Sequence, residues 1–290
     1  MSAGSEPTVT VVIGSNAPPE RLAACLEALE PQQDGVEVLV REGQASPTAL
    51  HERFPWAHFD LAPGRLVPEH WRDGIDVATG EIVALTIAQM IPAPDWIATI
   101  RRLHESHEVV GGAIEPGHGL RLVDWGEFFC RYARDLLPFA GRATNDLPGD
   151  NAAYARARLE SVRELYRDGF WEPEVHRRLA ADGVVLWQAP ELVVVQGRSA
   201  GFAEFFHQRL RHGRSHGRQR GAQAGKLHNL ARLLASPLVP FVLTLRVARL
   251  VRSKGRHMGR LVAALPLVFA FNVAWGIAEG LGYADELGRR

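Results

Sequence analysis

Apolar and polar positions over the first two hundred residues switch between two periods. TVTVVIG (8–14) is a short β-branched run closed by glycine, which predicts a strand. PPERLAACLEALEP (18–31) follows, with proline near its start and Leu22, Leu26 and Leu29 at helical spacing. VEVLV (36–40) predicts a second strand and SPTALHERF (46–54) a short helix. PEHWRDGIDVATG (68–80) reads as a helix closed by glycine, and EIVALTI (81–87) as a buried strand. PAPDWIATIRRLHES (92–106) reads as helix again, and VVGGAI (109–114) as another strand. This βαβα order predicts a mostly parallel sheet flanked by helices. No GxGxxG or GxxxxGK[ST] loop follows the first strand, which argues against a common dinucleotide or P-loop site.

The pattern changes near residue 220. LLASPLVPFVLTLRVARLV (233–251) is strongly apolar but interrupted by Pro237, Pro240 and two arginines. RLVAALPLVFAFNVAWGIA (260–278) has 18 residues after Arg260 with no charge and one Asn. A bilayer span needs about 20 apolar residues. The second segment qualifies marginally, and the first has the character of an interfacial or re-entrant piece. Between them RVARLVRSKGRHMGR holds seven basic residues, counting His257, and no acid. Such a cluster favours anionic lipid on the cytoplasmic side; the plainer alternative is a pair of core helices joined by a solvated basic turn. The expected organisation is an α/β domain over 1–220 and a hydrophobic, basic, helical tail over 221–290. The expected location is the cytoplasmic face of the cell membrane, peripheral or with one C-terminal span.

Charge sharpens this division. The 290-residue chain is neutral overall, but residues 1–202 carry 18 Arg/Lys against 29 Asp/Glu and residues 203–290 carry 15 against 4. A basic C-terminal third suits an anionic partner such as phosphate, a membrane surface or nucleic acid. Two cysteines, Cys25 and Cys130, form neither a disulfide framework nor a zinc site, and a reducing compartment is the default. The opening MSAGSEP has no basic n-region or apolar h-region, so no signal peptide is read. His212 and His216 are spaced to share a helix face, but Gly213 and Gly217 weaken a helix there, and both histidines read as surface residues.

The order of these pieces resembles a family 2 glycosyltransferase of the GT-A fold, over about residues 8–220. TVTVVIGSNAPPERLAACLEAL resembles that family's first strand, nucleotide-facing loop and first helix. RLVPEHWRDGIDVATGEIVALT resembles the helix and strand before its DxD motif. GDNAAYARARL (149–159) is similar to its acceptor-side loop, FWEPEVHRRL (170–179) to its E-D-x-D-L-x-x-R-L segment, and FFHQRLRHGR (205–214) to its Q-x-x-R motif. The resemblance implies an α/β, Rossmann-like GT-A sheet, a nucleotide-diphosphate sugar donor and inverting transfer to an acceptor. The tail adds a membrane surface as partner and points to a lipid-linked or other membrane-proximal acceptor, lipid or saccharide.

The resemblance also assigns roles. Aligning Arg178-Leu179 to the family's R-L puts Glu172 at the general base, with Glu174 at the second acidic position and Trp171 beside them. Pro173 stiffens that stretch, although acidic residues and proline also simply suit a helix start. Ser15, Asn16, Arg65 and Arg72 fall in donor-facing stretches, and Arg41-Glu42 stands where an aspartate usually follows the second strand. Asn151 is a candidate contact to donor sugar or acceptor, and Asp150 a candidate cap of a helix beginning near Ala152.

One departure matters most. Ile87-Ala88-Gln89 stands where the family carries DxD. Ile87 has no ligand atom and Gln89 offers only a neutral amide oxygen, a poor ligand for a hard dication. A divalent metal, Mg²⁺ or Mn²⁺, is thereby put in question. Arginine forks bind phosphate oxygens without a cation, so Arg65, Arg72, Gln208, Arg211 and Arg214 become candidate donor-binding residues together with Gln89. The competing expectation is a non-catalytic GT-A module that binds a nucleotide sugar or a partner protein. Nucleic acid is not expected as a partner, because RLRHGRSHGRQR lacks interleaved aromatics.

Overall fold

The computed structural model describes residues 6–198 and 201–289. The first five residues of the stretch read as lacking a signal peptide lie outside them. The chain divides into two compact units. One runs to Gly117 and again from Leu137 to Gly197; the other takes His118–Leu136 and the chain from Arg198 onward. The boundary expected at 220 is thus drawn at Arg198 by packing, and an inserted helix joins the second unit.

The first unit holds one mixed sheet in the order β3-β2-β1-β4-β8-β6-β9-β5. The strands are β1 (Val9–Ser15), β2 (Val36–Glu42), β3 (Ala57–Leu61), β4 (Ile82–Ile87), β5 (Met90–Pro92), β6 (Val109–Pro116), β7 (Arg142–Thr144), β8 (Asn151–Ala155) and β9 (Leu186–Gln196). β7 pairs with β9 beside this path. The helices are α1 (Pro19–Leu29), α2 (Thr48–Arg53), α3 (Val67–Val77), α4 (Trp96–His104), α6 (Arg156–Ser161) and α7 (Glu172–Ala181), with α5 (Leu122–Tyr132) lying in the second unit. Every residue of β1 and of β4 is buried. Strands covered on both faces read as mostly apolar runs, interrupted here by Thr10, Ser15 and Thr86, which is why both were legible in sequence. β1 pairs in parallel with β2 and β4, so their carboxyl ends share one edge.

β8 corrects an expectation. No helix begins near Ala152 and Asp150 caps none; Asn151–Ala155 is a strand antiparallel to both β4 and β6. NAAYA has little strand propensity of its own. It is held extended because a neighbour on each side supplies a ladder, with Thr86 opposite Asn151 and Val110 opposite Ala153.

The second unit is helical: α5, α8 (Phe202–Ala222), α9 (Lys226–Ala235), α10 (Val239–Lys254) and α11 (Met258–Arg289). α8 runs unbroken for 21 residues through its glycines. Gly213, Gly217 and Gly221 lie four apart, on one face, and α11 packs directly on them. A Cβ at Gly213 would stand 2.9 Å from the Trp275 carbonyl oxygen, and one at Gly217 3.1 Å from Gly282 Cα. The local helix cost of glycine is offset by this close approach. His212 and His216 are therefore half-buried rather than surface residues, and burial pushes His212 down to about 4 and lowers His216 as well.

Candidate active site

Ligands of open α/β sheets bind outside the carboxyl ends of the strands, and the first unit gathers its predicted residues at that edge. α3 lies across it. Gly14 of β1 packs under Val67 and Trp71, and the Trp71 indole donates to the Thr86 carbonyl of β4 at 2.8 Å. Just past β1, Asn16 donates from Nδ2 to the Arg65 carbonyl at 3.0 Å, and its Oδ1 lies 3.3 Å from His70 Nε2. Burial lowers the pKa of His70, so this imidazole is neutral near pH 7. The Glu69 carboxylate accepts from Leu66 N at 2.8 Å and from Arg65 at 3.1 Å, closing the first turn of α3 on itself.

The FWEP stretch reaches the same edge from the other side. Phe170 N donates to the Pro68 carbonyl at 2.7 Å, and Phe170 is fully buried. α7 then begins at Glu172, with proline in its first turn and Glu174 exposed beside it. The Glu172 side chain lies against Gly149, where an added Cβ would meet its carboxylate and stand 2.6 Å from its Cγ. Gly149-Asp150 leads directly into β8. Thr86 Oγ1 donates to the Asp150 carbonyl at 3.0 Å, and Thr86 is paired with Asn151. Gly149, against which the Glu172 side chain lies, is thus next to Asp150, whose carbonyl is tied to Thr86 just before Ile87, Ala88 and Gln89. The half-buried Trp171 turns its indole toward Gly169.

Beneath this point runs a polar chain that sequence reasoning missed. Asp146 Oδ1 lies 2.8 Å from His176 Nδ1, and His176 Nε2 lies 2.8 Å from the Tyr154 hydroxyl. His176 and Tyr154 are both fully buried. Burial, and after it the negative charges of Glu172 and Asp146, push the Tyr154 phenol well above its usual range. Tyr154 therefore stays neutral and donates to Nε2, which leaves Nδ1–H to donate to Asp146. Leu147 N also lies 3.3 Å from Nδ1; the shorter, charge-assisted contact to Asp146 decides the tautomer. The signal available in the sequence was spacing, since His176 stands one helical turn after Glu172.

Other expected site residues are already engaged. Asn151 is fully buried; it accepts from the Trp96 indole at 2.9 Å and donates to the carbonyls of Ala113 (2.9 Å) and Leu192 (3.0 Å). It ties the centre of the sheet together and has no face toward a ligand. Arg72 is bound to Asp73 and to the Arg167 carbonyl, while Arg65 is the more exposed of the two, at 43% of its side chain. Ser15 is buried at the end of β1, and its carbonyl accepts from Gly43 N at 2.8 Å. At the end of β2, Arg41 pairs with Asp60, and the buried Glu42 carboxylate faces His51 at 3.6 Å. Gln89 is half-buried, and its carbonyl accepts from Gly197 N at 2.8 Å.

Gln208, Arg211 and Arg214 lie on α8, in the second unit. There Asp285 takes both prongs of Arg214, at 2.8 and 2.9 Å, and Arg218 at 2.7 Å. The fork of Arg214 is thus occupied by a protein carboxylate, whereas Arg211 is exposed and Gln208 half-buried.

The residues at the end of β4 do not make the ligand set of a hard dication. Ile87 and Ala88 are buried and carry no ligand atom, and Gln89 carries a neutral amide. Among the described residues no group of three or more His, Cys, Asp or Glu side chains is placed to hold a metal ion.

No protein-family profile and no curated protein matches the sequence. Among solved structures, the chain is similar to the mannosyltransferase PcManGT from Pyrobaculum calidifontis in complex with GDP-Man and Mn2+. The TM-score is 0.55 at 18% identity, covering 98% of this chain and 88% of that one. The fold is that of a GT-A-like glycosyltransferase with a C-terminal helical region.

Proposed function

We propose that this chain is an inverting glycosyltransferase that moves a sugar from a nucleotide-diphosphate donor to a hydroxyl acceptor, with Glu172 as general base. The observation that carries this reading is the position of the Glu172 carboxylate, at the start of α7 and against Gly149, which is next to the Asp150 whose carbonyl is tied to Thr86 of β4. In the reaction the carboxylate takes the proton of the acceptor hydroxyl. The acceptor oxygen bonds to the anomeric carbon from the face opposite the donor phosphate. The bond from that carbon to the phosphate oxygen breaks, and its electron pair leaves on the nucleoside diphosphate. Pro173 and the buried Val175 and Leu179 fix the helix that presents the carboxylate.

The solved mannosyltransferase supports a guanosine-diphosphate sugar as the first donor to test. That protein was seen with Mn2+, but Ile87-Ala88-Gln89 offers no carboxylate here, so the charge of the leaving diphosphate falls to basic side chains, of which Arg65 lies at this edge. Family 2 membership, a lipid-linked or other membrane-proximal acceptor and the cytoplasmic face of the membrane complete the reading. The same missing carboxylates favour one second reading, a GT-A module that binds a nucleotide sugar without turnover.

A donor screen separates them. Thermal shift and product release are measured across GDP-, UDP- and dTDP-sugars, with Mn²⁺ and with EDTA. The enzyme reading expects transfer that survives EDTA and is lost in Glu172→Gln. A donor that stabilises the fold but is never consumed establishes the binding module.

A further inference from the structure

α9, the turn after it and α10 carry an apolar face that is left open. Leu227, Leu234, Leu238, Phe241, Val242 and Leu245 are each at least 50% exposed, and Val262 continues the face onto α11 at 66%. Exposed apolar surface of this extent marks a docking site. Its charge names the occupant. No acidic residue occurs between Glu204 and Glu279, and exposed Arg246, Arg249, Arg252, Arg256 and Arg260 border the face. A second copy of this chain would set like charges against each other, whereas anionic lipid headgroups complement them.

By length and composition Lys226–Lys254 and Met258–Arg289 each suffice to cross a bilayer. Their bonding argues otherwise. From Asn272 onward α11 is joined to the arginines of α8. Arg209 donates to Asn272 at 3.1 Å and lies over the Trp275 ring at 4.3 Å, Arg220 reaches Glu279 at 3.4 Å, and Arg214 and Arg218 hold Asp285. Arg214, Arg218 and Arg220 of this seam keep 41–50% of their side chains exposed, which is costly in hydrocarbon. What remains of α11, Met258 to Phe271, is about 21 Å long at 1.5 Å per residue, against a core of about 30 Å. Its inner side is also taken up, since Leu267 and Phe271 pack on Gly126 of α5. α10 is no better suited, with Arg246 and Arg249 on either side of its middle.

We propose that α9, α10 and the first half of α11 lie in the plane of an anionic bilayer surface, apolar face down, and do not cross it. This rests on the second unit alone and selects the peripheral form of the location given above.

The test uses the full chain and sealed vesicles of phosphatidylcholine with or without phosphatidylglycerol, separated by flotation. The chain should float with the anionic vesicles only, less as salt rises, and Arg246→Gln/Arg249→Gln/Arg252→Gln should weaken partition by roughly a hundredfold. Ser253→Cys, at the α10–α11 corner, should react with a membrane-impermeant maleimide added outside. The unsubstituted chain, with its buried Cys25 and half-buried Cys130, sets the labelling background. Equal binding to neutral vesicles, or labelling only after permeabilisation, overturns the proposal. So does a failure to float combined with a stable dimer in solution, which assigns the face to a second copy. Vesicle partition is read without donor turnover, so its outcome is independent of the glycosyl-transfer reading.

Discussion

The side chain of Glu172 rests on Gly149, at a place where no other residue leaves room for it. Two variants exploit this. Glu172→Gln keeps the shape and removes the base, so kcat should fall by about 10²–10⁴ with thermal stability unchanged. Gly149→Ala keeps the carboxylate and displaces it, so kcat should fall while the donor still raises the melting temperature as it does in the wild type. If Glu172→Gln turns over at the wild-type rate, the carboxylate is only a helix-start residue.

Tyr154 and His176 extend the same point inward. Tyr154→Phe removes the donor to His176 Nε2 in a site closed to water. A buried polar atom left unmatched costs about 1–3 kcal/mol, which should appear as a lower urea midpoint with an unchanged slope. Asp146→Asn weakens the charge-assisted contact to Nδ1. If the chain positions α7 for catalysis, this variant lowers kcat with little change in KM; equal loss of stability and full kcat would make the chain purely structural.

The contrast between β4 and β8 shows what the sequence could reveal. IVALTI is apolar but for Thr86 because both its faces are covered, so its composition and its neighbours identify it. NAAYA is a strand only because β4 and β6 lie on either side, a tertiary fact with no local pattern. The site divides similarly. That a helix begins at Glu172 could be anticipated from Pro173 and the acidic residues on either side of it. The commitment of Asn151 to Trp96, of Arg72 to Asp73 and of Arg214 to Asp285 could not, because each partner is remote in sequence or has rivals of equal charge nearby. The glycines of α8 misled for a related reason. Helix propensity is local, and the contact that overrides it comes from α11.

Those glycines give a paired prediction. A side chain at Gly217 meets the backbone of α11 at Glu279 and Gly282, which cannot move without shifting the helix. Gly217→Ala should therefore destabilise by about 1–3 kcal/mol, the usual cost of overpacking. Gly259, in the first turn of α11, has nothing within 4 Å of an added Cβ. Gly259→Ala should be neutral to about 1 kcal/mol stabilising, through the unfolded chain. Thermal or urea unfolding of the pair separates the helix-packing account from a general effect of glycine replacement, which predicts the same sign at both sites.

His104 predicts a pH dependence of stability. Burial pushes its imidazole down to about 4, against the opposing hydrogen bond to the Ala153 backbone, and its Nε2 is buried without a partner. The unfolded residue takes up its proton near pH 6.5 and the folded one near 4. Between those values the unfolded state holds more protons, so stability falls as pH is lowered through the window and is level above it. At pH 5 the loss relative to pH 8 is about 2 kcal/mol from this group. His104→Gln removes the titration and should flatten the urea midpoint between pH 6.5 and 4 relative to the wild type. An unchanged slope would show that the imidazole is protonated within the fold, and that water reaches it on α4.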